Sequence, residues 1–206
     1  MKKLLTFVLM IFSLSLTAQN LDEAQHTLQL LTEKYQGIEK YKVDVAYTFE
    51  NSAMGFKNSQ SGNMTVQGDS YRLDYGDAEV WVSDGRSESI GTKEEDHSQI
   101  IMFCAGENEE AVLEYSKFLS FYTEGHKVLS LENNILRLEP MGEALYVEAQ
   151  IKLKDLGIAQ IMLVDDMKST YTFDISNFTT NTAGTEFTID ASNYAEKIDE
   201  RGASCK

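Results

Sequence analysis

YRLDYGDAEVWVSDGR, residues 71–86, carries four carboxylates and the only tryptophan within sixteen residues. Its alternation decides the fold. Tyr71, Leu73 and Tyr75 alternate with Arg72 and Asp74, and Val80 and Val82 alternate with Glu79, Trp81 and Ser83. Gly76-Asp77 reads as a turn, and Asp84-Gly85 is a dipeptide favoured in type I′ hairpins. The stretch is therefore expected to form two antiparallel strands. Tyr71, Leu73, Tyr75, Val80 and Val82 face inward, and Asp74 and Glu79 face water or pair with Arg72. Asp77 and Asp84 are then short turn residues. The competing reading is a pair of acid/base carboxylates, whose separation a sequence does not give.

The period of two extends outward from this hairpin. In YKVDVAYTFE (41–50), Tyr41, Val43, Val45, Tyr47 and Phe49 share one face against Lys42, Asp44, Ala46, Thr48 and Glu50. Further strands are expected at 62–67, 70–76, 79–84, 86–91 and 97–103. They resume at 126–132, 134–139, 144–153, 158–164, 169–177 and 185–190. Asn133-Asn134, which tolerates positive φ, marks a hairpin. Two segments break the pattern. Leu21, Ala24, Leu28, Leu31, Tyr35 and Ile38 form an amphipathic helical stripe with Gly37 placed for a C-cap. Residues 108–122, with Val112, Tyr115, Phe118, Leu119 and Tyr122 at helical spacing, predict a second helix. The expected fold is mainly β with two helices: a curved antiparallel sheet forming an incomplete barrel closed by helices.

MKKLLTFVLMIFSLSLTAQN has two lysines before an apolar run from Leu4 to Leu16. This is the plan of a secretory signal, too short to span a bilayer comfortably. Residues 1–18 are expected to be removed, leaving one domain over 19–206, exported and soluble. Without Lys2 and Lys3 there are 16 basic residues against 33 acidic ones, a charge of −17. That balance repels nucleic acid and anionic surfaces and favours a monomer. Export makes a disulfide between Cys104 and Cys205 an open reading, and there is no C-x-x-C that would suggest redox or zinc chemistry.

The order G-x-M-x-V, Y-R-L-D-Y, V-W-V-S-D-G over residues 62–85 resembles the central signature of the LolA-like family of periplasmic carriers of outer-membrane lipoproteins. YTFDISNF (171–178) and EFTIDASNYAEKID (186–199) are similar in place. The resemblance covers almost all of the chain after the signal. It implies an apolar cavity for lipoprotein acyl chains, a release complex at the inner membrane and an acceptor at the outer membrane. Three features depart from the family pattern. Gln67-Gly68-Asp69-Ser70 lacks the usual basic residue and proline, Glu88, Ser89 and Ile90 replace the aromatic residues usual after the D-G turn, and Ala191-Ser192 stands where tandem prolines are usual.

No nucleotide-binding, serine-hydrolase or H-E-x-x-H motif occurs. The expectation is a protein without catalysis, cofactor or metal. Val45, Tyr47, Phe49, Met64, Val66, Leu73, Tyr75, Val80 and Val82 are the expected cavity lining. Each could equally be ordinary core. A chain of about sixteen carbons is held in a membrane by on the order of 12 kcal/mol. A carrier must therefore offer comparable burial, to which flexible Met and aromatic linings are suited. The alternative use of such a fold is a lipid or envelope-stress sensor module that regulates a membrane partner.

Overall fold

The computed structural model describes residues 20–107, 112–203 and 205. The signal sequence read at 1–18 lies outside them. Among the described residues one α-helix is present, α1 over residues 20–35. Gly37 follows it at φ 79°, the left-handed conformation that ends helices. Of the expected stripe, Ala24 and Leu31 are fully buried, Leu28, Tyr35 and Ile38 pack against the core, and Leu21 is exposed.

Twelve strands form one sheet among the described residues. They are β1 (Lys40–Asn51), β2 (Phe56–Gln67), β3 (Ser70–Tyr75), β4 (Glu79–Ser83), β5 (Ser87–Lys93), β6 (Ser98–Cys104), β7 (His126–Glu132), β8 (Ile135–Pro140), β9 (Glu148–Lys154), β10 (Gly157–Val164), β11 (Thr170–Thr179) and β12 (Glu196–Asp199). Their order is β12-β6-β5-β4-β3-β2-β1-β11-β10-β9-β8-β7, so the sheet is open, with β12 and β7 at its edges. Every pairing is antiparallel except β12, which runs parallel to β6. Asn133 and Asn134 lie at φ 52° and 61°, as a two-residue β7–β8 hairpin requires.

Residues paired across an antiparallel ladder share a face. The registers carry one apolar face through Leu136, Ile151, Ile161, Phe173, Tyr47, Val43, Met64 and Leu73. This is the concave side, and α1 and residues 112–123 fill it. The helix expected at 108–122 is not formed. Its described part is two 3-10 turns, Tyr115–Lys117 and Phe121–Thr123, and residues 108–111 lie outside the described residues. The apolar spacing correctly marked burial: Tyr115, Phe118, Leu119 and Tyr122 are all buried. It did not mark conformation. Aromatic side chains are weak helix formers, Glu114 makes no side-chain cap, and the rings are held by neighbours on several strands. Tyr115 meets Tyr71 and Trp81 edge-on, Phe118 meets Phe173, and the Tyr122 hydroxyl donates to the carbonyl of Leu31.

The strand expected at 185–190 is absent as well. Arg72 Nη1 donates to the carbonyls of Glu186 (3.2 Å) and Thr188 (3.4 Å), so a guanidinium rather than a ladder takes these groups. The chain then crosses the outer face of β3–β6. Tyr194 lies against Gly91, where an added Cβ would fall 2.2 Å from the phenol oxygen. Cys205 is bonded to Cys104 with the two Cα atoms 5.5 Å apart. Val82, Ile100, Cys104 and Tyr194 are buried here, outside the main core cluster.

Candidate functional site

The β3–β4 loop corrects the expected lining. A two-residue turn at Gly76-Asp77 would pair Tyr75 with residue 78 and bring Val80 and Val82 inward. The loop has three residues, and the register is Tyr75↔Glu79, Leu73↔Trp81, Tyr71↔Ser83. One extra residue exchanges the faces of a whole strand. Glu79, Trp81 and Ser83 are therefore on the concave side, and Val80 and Val82 lie opposite with Arg72 and Asp74, toward the closing segment. The Asp84-Gly85 turn differs too. Only Gly85 has positive φ, and Asp84 Oδ1 accepts from the N–H groups of Arg86 and Ser87, both at 2.8 Å. Slight burial of the Asp84 carboxyl is outweighed by these backbone donors, and its pKa falls.

The other predicted residues do lie on the concave side, with Val45, Met64, Val66, Leu73 and Tyr75 buried and Tyr47 and Phe49 half-buried. Met64 and Leu73 have no exposed surface, and they meet core side chains, not a cavity. The grooves divide the remainder. One of about 430 Å³, between the end of α1 and residues 116–124, takes only Val66. A second, of about 530 Å³, runs across β2, β1 and β11 and takes Val45. A third, of about 470 Å³, lies beneath the closing segment and takes Val80.

What the concave side leaves accessible is an aromatic lane at one end. Phe56 contacts Phe49 (ring centroids 5.8 Å apart), Phe49 contacts Tyr171 (5.0 Å), and Tyr47 contacts both Phe173 (5.1 Å) and Tyr75 (6.3 Å). Further along the same face, Trp81, Ile90, Ile101 and Phe103 are also half-buried. Burial, then the neighbouring Tyr171 and Glu79, push the Tyr47 hydroxyl up to about 12, so it stays a neutral donor. Tyr171, Trp81, Ile90, Ile101 and Phe103 were missed from sequence. The length of the β3–β4 loop was the signal that could have found Trp81.

No family model matches this sequence, and no curated protein matches it. Solved structures do. The chain is similar to a LolA superfamily protein from Nitrosomonas europaea, at 12% identity and a TM-score of 0.47 over 81% of this chain and 98% of that one. It is similar to a DUF1329 family protein from Desulfovibrio piger, at 10% identity and a TM-score of 0.39 over 83% of this chain and 98% of that one. A third match, titled as an outer membrane lipoprotein-sorting protein domain from Vibrio parahaemolyticus, has 11% identity and a TM-score of 0.36 over 79% and 95% of the two chains.

The four carboxylates of residues 71–86 do not converge. Asp74 is on the outer face, ion-paired with Arg72 at 2.8 Å. Glu79 is on the concave face, accepting from the Trp81 indole and from Gln60, and neither faces water nor pairs with Arg72 as expected. Asp77 and Asp84 are in turns. Among the described residues no three His, Cys, Asp or Glu side chains gather as a metal site, and no helix is long and apolar enough to cross a membrane.

Proposed function

We propose that this chain is a periplasmic carrier that holds lipoprotein acyl chains against its concave face and moves them toward the outer membrane without breaking a bond. It would receive cargo from a release complex at the inner membrane and pass it to an acceptor at the outer membrane. The observation that carries this reading is the nature of the filling. The apolar face is covered by an insert, residues 112–123, built of two short 3-10 turns rather than a continuous helix, and the aromatic lane beside it is accessible at one end. Magnitudes favour exchange. Tyr115, Phe118, Leu119 and Tyr122 are four buried side chains, so withdrawing them costs roughly 6–12 kcal/mol at 1.5–3 kcal/mol each. One chain of about sixteen carbons returns on the order of 12 kcal/mol, and a second chain returns more.

The test is transfer of a fluorescent triacylated lipopeptide from donor to acceptor vesicles with the purified protein as the sole shuttle. Transfer rising with protein concentration, together with lipid retained by protein taken from its own periplasm, supports the carrier. No transfer and no binding of the lipopeptide would sink it. Binding without transfer, with a stable membrane-anchored complex, would instead favour a sensor module.

A further inference from the structure

Three loops meet at the accessible end of the concave face. The β1–β2 turn (52–55) and the β10–β11 turn (165–169) are neighbours because Glu50 pairs with Thr170 and Asn51 with Phe56. The β8–β9 loop (141–147) joins them because Val147 N donates to Val164 O at 2.7 Å. Each carries large apolar side chains into solvent: Met54 (79% exposed) and Phe56, Met167 (70%), and Met141 (69%), Leu145 and Val147.

The first two turns are braced from below. Asn51 Nδ2 donates to Ser169 Oγ, Asn51 Oδ1 accepts from Met54 N, and Asp165 Oδ1 accepts from Ser169 N, with Asn51, Asp165 and Ser169 all buried. A polar network anchored on these three buried side chains fixes the turns in place. The tips are therefore held in position, not collapsed onto the protein.

We infer that this rim is a docking surface for a zwitterionic phospholipid bilayer, into which the loop tips insert. The surface is three separate fingers rather than a flat patch, which suits a fluid, deformable partner better than a shaped protein. Methionine adapts readily to such surroundings. Lys168 directly follows Met167, where a long basic side chain can reach headgroup phosphates while its neighbour inserts. Glu50 is paired with Lys57 and Asp165 is buried, but Glu143 and Asp166 remain on the rim of a chain of net charge −15, which disfavours anionic lipid. The aromatic lane starts at Phe56 and leads inward from the rim.

This inference goes beyond the carrier reading and does not depend on it. The experiment is flotation of the purified protein with phosphatidylcholine vesicles at low and high salt. The parent should float at both. Met54→Ser, Phe56→Ser and Met167→Ser should each lower the partition coefficient by about tenfold with unchanged melting temperature. Leu156→Ser, on the β9–β10 turn at the opposite end, should leave it unchanged. A Phe56→Trp variant should gain fluorescence quenched by brominated lipid. Failure of the parent to float, equal loss in the Leu156 control, unquenched Trp fluorescence, or a rim-dependent change in oligomeric state in place of partitioning would overturn it. Soluble acyl-probe binding retained by Met54→Ser and Met167→Ser, which lie outside the aromatic lane, separates this result from failure of the carrier reading.

Discussion

A Cβ built on Gly62 would stand 1.9 Å from the carbonyl oxygen of Asp74 and 2.8 Å from its carbon. Both are backbone atoms of β3, so no side-chain rotation relieves the contact. Gly62→Ala should cost about 3 kcal/mol or more in urea denaturation, as overpacking against fixed atoms does. The glycine was legible as the first letter of G-x-M-x-V, but its reason was not. That reason is a close approach between strands, which no periodicity encodes. Glu88 is a second residue with a measurable signature. It lies on the concave face through its pairing with Ser83, and burial raises its pKa despite the Gly106 N–H and the Tyr71 hydroxyl. A carboxyl raised on folding binds more protons folded than unfolded, so stability falls as pH climbs from the ordinary carboxylate range through the raised value. Glu88→Gln should remove that fall. Melting curves of parent and variant should run together in acid and separate toward neutral pH, with the variant the more stable.

Elements were legible where their signal was local. β1 alternates over ten residues and was found within one residue of each end, and the Asn133-Asn134 turn declared itself. β12 was not found as a strand. It is four residues with one apolar side chain, Ile198, paired parallel to a strand about a hundred positions earlier, and nothing local marks such a partner. In the candidate site the three-residue β3–β4 loop exchanged Val80 and Val82 for Trp81, Tyr171, Ile90, Ile101 and Phe103 were missed as well, and Met64 and Leu73 are core. The insert is the element to perturb. Phe118→Ala should cost about 3–5 kcal/mol, yet tighten binding of an apolar fluorophore, because less burial is forfeited when the insert withdraws. A loss of both stability and probe binding would mean that Phe118 belongs to the site rather than covering it. At the rim, Asn51→Ala leaves the buried Ser169 hydroxyl without its amide donor and should cost about 1–3 kcal/mol by thermal or chemical denaturation.

Among the described residues a single open sheet carries a disulfide-bonded strap on its outer side. Cys104 and Cys205 are 101 residues apart in sequence, and a loop of that order constrains the unfolded chain by up to about 4.7 kcal/mol in the chain-entropy account. Cys205→Ser should therefore lower stability by about 2–5 kcal/mol. Hydrogen exchange should show the greatest new opening along β6 and β12, where the strap pairs and where Ile100 loses its cover. The same openness sets what the concave side can hold. A closed barrel has its bore fixed by strand number and shear, and widening it means breaking a ladder. Here β7 and β12 are ends rather than partners. The trough can thus deepen or flatten by changing its twist with every rung of hydrogen bonds intact, so its capacity is a continuous quantity and not a fixed bore.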